Sequence, residues 1–271
     1  MSAFSRRVIG LIPAAGQATR IGPLPMSKEV FPVGFVEADG SIGRPKVASH
    51  YLLERMARAK VSDAFIILRP GKWDIPAYLG DGTDVAVRLA YLTVHVPFGV
   101  AFTLDQAYPF VRGETVALGF PDILFWPENA YDVVLQRLWK TDADVVLGLF
   151  PTDEPDKVGV VDVETDGQVQ GVYEKSSFTH LRYMWAIAVW GPQFTEFLHS
   201  FIETETRRRA KDSGLGPRQE TGETREIPIG DVIQAALESG LRAEAEIFRD
   251  GRYIDLGTPE NLVKALRETL P

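Results

Sequence analysis

The chain has no cysteine. It can build no disulfide framework and carry out no thiolate chemistry, which fits a reducing, cytoplasmic setting. Histidine is scarce. His50, His95, His180 and His199 make no HxxxH or HxE cluster, so zinc is not expected. No stretch approaches the ~18 consecutive apolar residues of a membrane span. Positive charge is in deficit, with 29 Lys+Arg against 37 Asp+Glu and a net charge of −8. Nucleic-acid binders usually carry the opposite balance, so neither nucleic acid nor a membrane is expected as a partner. The 45% hydrophobic and 24% charged residues match an ordinary globular protein and exclude wholesale disorder, collagen and coiled coil.

What is present is a regular alternation of apolar runs and helical patterns. With 271 residues, the chain buries enough surface to fold without staples. Arg6-Arg7 followed by residues 8–16 imitates a signal peptide. The apolar part is short, however, and passes into Gln17-Ala18-Thr19-Arg20. A buried first strand leading into a small-residue loop is the better reading. Strands are expected at 8–13, 64–68, 89–94, 115–120 and 144–150, with helices at 47–60, 73–79 and 130–140. Such β, α, β, α order predicts an α/β fold: a mostly parallel mixed sheet with helices on both faces. In the second half, 158–163 and 169–174 flank Asp166-Gly167 as a hairpin. A strand is expected at 184–190 and helices at 193–202 and 231–239. Residues 245–248 and 252–256 flank Asp250-Gly251 as a second hairpin. A helix from Pro259 is capped by Thr258. Residues 206–225, with Arg207-Arg208-Arg209 and few apolar side chains, read as a mobile surface loop. No linker or repeat interrupts the chain, so residues 1–271 are taken as one domain.

The loop after the first strand, Pro13-Ala14-Ala15-Gly16-Gln17-Ala18-Thr19-Arg20, is where chemistry is expected. Ligands of open α/β sheets gather at the carboxyl ends of strands. Small residues let backbone N–H groups approach a phosphate closely. Arg20 and Lys28 can supply countercharge. Neither GxxxxGK[ST] nor GxGxxG is present, so an ordinary strand-to-helix turn remains the competing reading of the local pattern.

Residues 14–33 (AAGQATRIGPLPMSKEVFPV) resemble the signature of the sugar-1-phosphate nucleotidyltransferases, with glucose-1-phosphate thymidylyltransferases the nearest subgroup. The likeness continues in order. Gly159-Val160-Val161 through Glu174-Lys175 is similar to the family's Gly-Val-Val hairpin ending in Glu-Lys-Pro, with Ser176 in place of the Pro. Tyr253-Ile254-Asp255-Leu256-Gly257-Thr258-Pro259-Glu260 is similar to its Trp-Leu-Asp-Thr-Gly-Thr-Pro-Glu. The resemblance implies a Rossmann-like, glycosyltransferase-A-like nucleotidyltransferase core. It also implies a nucleoside triphosphate and a sugar 1-phosphate as substrates, with pyrophosphate released. The attacking phosphate oxygen is already anionic, so no general base is required. The enzyme must hold two mutually repelling anions together and stabilise charge on the transferred phosphorus, which calls for cations and Mg²⁺.

By this resemblance Ala14, Ala15, Gly16, Thr19, Arg20 and Gly99 bind the nucleotide. Arg20, Lys28 and Asp122 are catalytic, and Asp122 with Asp255 holds the metal. Glu174 takes sugar hydroxyls and Lys175 the sugar phosphate. Plainer roles compete: a cap residue for Asp122 or Asp255, a solvated loop lysine for Lys28, an exposed ion pair for Glu174 and Lys175. Departures from the pattern bear on the base. Where the family has a Gln that reads a pyrimidine edge, this chain has Val96, which cannot make that hydrogen bond. Ala15 and Ala18 stand where glycines are usual. Two alternatives therefore stay open: a related protein that binds nucleotide or sugar phosphate with little catalysis, and a cytidylyltransferase for a non-sugar phosphate. The base, the sugar and the formation of a homo-oligomer are left undetermined.

Overall fold

The computed structural model describes residues 7–38, 41–95, 98–175, 180–213 and 226–269. The first half carries β1 (Val8–Ala14), β2 (Pro32–Ala38), β3 (Ser41–Val47), α1 (Ala48–Arg58), β4 (Asp63–Leu68), α2 (Asp74–Leu79) and β5 (Arg88–Thr93). It continues through α3 (Val100–Asp105), α4 (Tyr108–Val111), β6 (Thr115–Gly119), β7 (Ile123–Trp126), α5 (Ala130–Lys140) and β8 (Val145–Pro151). The second half carries β9 (Gly159–Val163), β10 (Val169–Glu174), β11 (Tyr183–Trp190), α6 (Pro192–Ser213), α7 (Ile229–Glu238), β12 (Ala243–Ile247), β13 (Arg252–Asp255) and α8 (Pro259–Thr269).

The main sheet follows the order β10-β9-β11-β6-β1-β4-β5. Strands β6, β1, β4 and β5 are mutually parallel. β11 enters antiparallel to β6 through residues 187–190 and meets β9 at Met184. Its other edge pairs with β8, to which β12 adds in parallel. The expected α/β class with a mixed, mostly parallel sheet is the observed one.

Side-chain alternation along the strands makes a core on each face. Ile9 and Leu11 of β1 pack with Phe102 of α3, Leu198 of α6 and Val232 of α7. Val8 and Ile12 face the other way, onto Leu52, Leu53 and Met56 of α1 and Val134 of α5. Burying each such Leu, Ile or Val contributes about 1.5–3 kcal/mol, so both helix layers are fixed by the period-2 pattern. A third, smaller cluster joins Val33, Tyr51, Leu124, Ile254 and Ala265. It seats α8 and the β7–β13 ribbon against the main body.

Three expectations change. The second hairpin does not form. A turn closes at Phe248 O and Gly251 N, 2.8 Å, but the strands on either side part company. β12 pairs with β8 and β13 with β7, because each finds an open edge elsewhere in the fold. The supposed loop from 206 begins as helix, since α6 runs to Ser213. Arg207 and Arg208 bond back to Glu203 and Glu205, which supports helix without apolar residues. Arg209 lies over the Phe102 ring at 5.3 Å. Residues 214–225 lie outside the described residues. The third change is the β2–β3 hairpin, which the sequence reading does not contain.

Candidate active site

The parallel strands β1, β4 and β6 point their carboxyl ends to one rim of the sheet, and the site is built there. A cavity of about 210 Å³ is lined by Ala15, Gly16 and Gln17 from the loop after β1, by Lys28 and Glu29, and by Asp122 after β6. Gly99 and Thr103 at the start of α3 close it. The chain returns to the rim through a 3-10 turn, Lys28–Val30, which delivers Lys28 to the cavity. Lys28 Nζ forms an ion pair with Asp122 Oδ2. Burial works against the Lys28 ammonium, but the charge and hydrogen bond of Asp122 outweigh it and raise its pKa above the ordinary value. Lys28 is thus firmly cationic.

Asp255 reaches the same place by strand pairing. In the β7–β13 ribbon Asp255 stands opposite Ile123, and Leu256 N donates to Asp122 O at 2.9 Å. Residues 133 positions apart in sequence number, 122 and 255, are thereby set side by side. Gly257 N donates to Asp255 Oδ1 at 2.8 Å. Burial and then the neighbouring Asp122 charge raise the Asp255 carboxyl above its usual range. Arg20 NH2 approaches Asp255 Oδ2 at 3.9 Å, with its own side chain 64% exposed. Two crowded carboxylates with an incomplete set of countercharges are a donor set for a hard cation. No group of three or more His, Cys, Asp or Glu placed to hold a metal exists among the described residues. Mg²⁺ usually takes one or two protein carboxylates and fills its remaining positions with water and phosphate, so the pair fits that ion.

Two contacts, one half-buried and one buried, hold Lys28 from either side, and neither is visible as a motif. Ser27 N and Oγ donate to Asp74 Oδ2 and Oδ1 at 2.6 and 2.8 Å. Lys72 Nζ donates to Glu29 Oε1 at 2.5 Å. Burial pushes the Asp74 carboxyl up, but the Ser27 hydrogen bonds outweigh it and hold it below its ordinary value. A carboxylate depressed in the fold stabilises above its unfolded pKa, and that contribution is lost as pH falls through the folded value. Asp74→Asn is therefore expected to lower the urea midpoint near neutral pH, with the gap from the native chain closing in strong acid. A pH series of urea melts checks this.

The loop residues divide. Ala15 and Gly16 line the cavity. Ala14 ends β1 with its side chain in the core, so it can offer only backbone. Thr19 and Arg20 lie on the exposed outer part of the loop and do not line the cavity. Ala18 sits at φ 55°, in the left-handed region that costs a non-glycine residue roughly 1–2 kcal/mol. Ala18→Gly should raise stability by about 0.5–1 kcal/mol, read as a Tm increase of roughly 1–4 °C. Gly99 has φ 101°, and a Cβ there would come within 2.6 Å of Ile227 N. The close pass of these segments, with Ile227 N donating to Phe98 O at 3.1 Å, therefore requires glycine. Val96 lies outside the described residues.

Glu174 ends β10 beside Gly159, where a Cβ would stand 2.8 Å from its Oε1. Gly230, at the start of α7, is packed against the same carboxylate. Burial first, and then the Asp231 charge, raise the Glu174 carboxyl. Lys175 is exposed at φ 47°. Neither residue lines the 210 Å³ cavity, so the pair stands apart from Lys28 and Asp122.

The nucleotidyl transferase family profile matches residues 9–270. The chain belongs to that family. It is 26% identical over 261 residues to a glucose-1-phosphate thymidylyltransferase of Neisseria gonorrhoeae, covering 94% of this chain and 80% of that one. The corresponding protein of Mycolicibacterium smegmatis is 27% identical with the same coverage. Among solved structures, a Bacillus anthracis protein described as a glucose-1-phosphate thymidylyltransferase, crystallised with a sucrose, superposes with a TM-score of 0.76 at 17% identity. It is matched over 97% of this chain and 95% of its own. A UDP-glucose pyrophosphorylase bound to UDP-glucose gives 0.74 at 18% identity, over 97% and 98% of the two chains. These likenesses bear out the fold and the family expected from the three sequence blocks, and the chain is a nucleotidyltransferase.

Proposed function

We propose that this nucleotidyltransferase joins a nucleoside triphosphate to a sugar 1-phosphate, giving a nucleotide sugar and pyrophosphate with the help of Mg²⁺. The observation that carries the reading is the pairing of Lys28 with Asp122 in the lining of a cavity floored by the loop after β1, with the Asp255 carboxylate close enough to both to feel their charge. The named relatives act on glucose 1-phosphate as thymidylyltransferases, which supports the substrate class.

The nucleoside enters between the Ala15-Gly16 backbone and Gly99. Lys28 sits where the α-phosphate arrives and neutralises charge that grows on it, an interaction that counts most in the transition state. Asp122 and Asp255 are the residues to hold Mg²⁺, and the ion when bound supplies Lewis-acid charge to the phosphates. Arg20, exposed at the mouth beside Asp255, meets the outer phosphates. Glu174 accepts from sugar hydroxyls and Lys175 takes the sugar phosphate. The phosphate nucleophile carries its own charge, so no side chain has to remove a proton.

The left-handed Ala18 and the methyl of Ala15 favour a second reading, a nucleotide-binding relative with little turnover. Pyrophosphate release, measured over a panel of triphosphates and sugar 1-phosphates with Mg²⁺, separates the two. Release that requires one matched pair supports the enzyme. Binding without release across the panel supports the second reading.

A further inference from the structure

A cleft of about 520 Å³ opens where β10 and α7 part, at the end of the pair away from Glu174. Gly230, near the start of α7, packs on Glu174 at the end of β10. One helical turn on, Gln234 Oε1 accepts from Val172 N at 2.9 Å. Beyond that bond Leu237 and Leu241 line the cleft with Gln168 and Gln170, and Ala243 and Glu244 of β12 add its third wall. Four residues of extended strand, from 170 to 174, put Glu174 about 13 Å away. None of the residues lining the cleft lines the 210 Å³ cavity.

Three of the chain's eight glutamines, Gln168, Gln170 and Gln234, meet in this cleft. The chain before β10 is ordered by its own bonds: Gln168 N donates to Asp166 Oδ1 at 3.0 Å and Glu164 N to Gln168 O at 2.9 Å. Gln168 and Gln170 are exposed, and among the described residues neither side-chain amide makes a hydrogen bond. The floor beneath them is apolar, with Val169 and Ala243 buried and Leu237 and Leu241 half-buried. An apolar floor with a few placed polar groups, in about 300–1,000 Å³, is the usual make-up of a small-molecule site.

The charges narrow the class of ligand. Three carboxylates, Asp166, Glu238 and Glu244, face one guanidinium, Arg242, and Arg242 NH2 is turned to Glu244 Oε1 at 3.6 Å. A phosphate would meet a net negative wall, which excludes nucleotides and sugar phosphates. An ammonium is no better served, because the carboxylates are already engaged. Glu244 accepts from Arg137 Nε at 2.9 Å, Glu238 Oε1 from Gln234 Nε2 at 2.9 Å, and Asp166 from Gln168 N. The uncommitted groups are two amides, each able to donate and to accept. Neighbouring hydroxyls of a sugar ring offer the matching donors and acceptors, and the C–H face of such a ring suits the Leu237–Leu241 floor.

We propose that this cleft binds a neutral, hydroxyl-rich ligand, a mono- or disaccharide without phosphate, through Gln168 and Gln170. The site is separate from the transfer chemistry and does not depend on it.

Titration of the isotope-labelled full chain with methyl α-glucoside, methyl α-mannoside and maltose, followed by NMR at the side-chain amides, tests it. The two amide signals are assigned by their absence from Gln168→Ala and Gln170→Ala. At least one probe should move both signals saturably, with a Kd of about 1–10 mM. In Gln168→Ala/Gln170→Ala, binding of that probe, followed by saturation transfer to the sugar, should weaken about 10-fold or more. Both positions are exposed, so the variant should fold as the native chain does, and circular dichroism checks this. Binding that survives both substitutions would overturn the proposal, since the sugar would then be held elsewhere, as at Glu174. Silence of both amides toward all three probes would overturn it as well. Inorganic phosphate and butylamine are the charged controls. If either moves the two signals at lower concentration than the sugars do, the neutral class is wrong and the cleft is an ion site.

Discussion

Replacing Asp255 with asparagine is expected to cut turnover by about 10²-fold or more without lowering the thermal midpoint. The two effects have separate causes. Turnover depends on charge at a site where catalysis is mainly electrostatic, and asparagine removes one of the two carboxylates. Stability depends on what Asp255 costs the fold when ionised. Burial and the Asp122 charge both push its carboxyl up, so the ionised form is held against repulsion. Asparagine removes that repulsion, keeps the shape and keeps an oxygen for Gly257 N, now 2.8 Å from Oδ1. The midpoint should hold or rise, as at other sites where function is maintained at the expense of stability. Asp122→Asn should lose turnover equally but behave differently in the melt. It strands Lys28, whose side chain is 13% exposed, without its partner, and the midpoint should fall. Pyrophosphate release at saturating Mg²⁺, with calorimetric melts of both variants, checks the contrast. Near-normal turnover of both would remove the carboxylates from the mechanism.

How far the sequence reaches depends on whether the information is local. Strands buried on both faces appear as short apolar runs, and the parallel β1, β4 and β6, with the equally buried β8, were legible on that ground. β2 and β3 were not, because PVGFVEA and SIGRPKV mix strand formers with Gly34 and Pro45, residues that weaken a strand signal. The turn at Gly251 was legible, but the partners of the strands around it were not. Pairing of β12 with β8 and of β13 with β7 is a long-range choice. The same division runs through the site. Lys28 and Asp255 fall in recognisable blocks, Asp122 follows a legible apolar strand, and the three do converge. Ser27–Asp74 and Glu29–Lys72 join residues 47 and 43 positions apart, and no spacing announces such pairs. Asp74 and Lys72 simply look like surface residues flanking Trp73. Arg20 illustrates the converse limit. Its block identified the residue, while the structure leaves its side chain at the mouth, 3.9 Å from Asp255, rather than inside the cavity.

Lys28→Ala should lower kcat by about 10²–10³-fold while changing KM much less. The split follows from when the interaction matters. An ammonium beside the α-phosphate meets a charged group in the ground state too, but charge builds there as the bond to pyrophosphate breaks, so removal is felt most in kcat. The structure gives Lys28 the two properties this needs. It stays cationic, because Asp122 more than offsets the burial that works against it. It is also held in place, because Ser27 before it is bound to Asp74 and Glu29 after it is bound to Lys72. Lys28→Arg keeps the charge but brings a planar fork into a space fitted to a compact ammonium, and should recover only part of kcat. Asp74→Ala offers an independent check on positioning. It leaves Lys28 chemically intact but frees the Ser27 side of its turn, so kcat should fall by less than in Lys28→Ala, with the fold retained. Steady-state kinetics on the best substrate pair, with circular dichroism to confirm folding, reads all three. An unchanged kcat in Lys28→Ala would show that the Lys28–Asp122 pair is a structural contact and that the charge on the transferred phosphorus is met elsewhere.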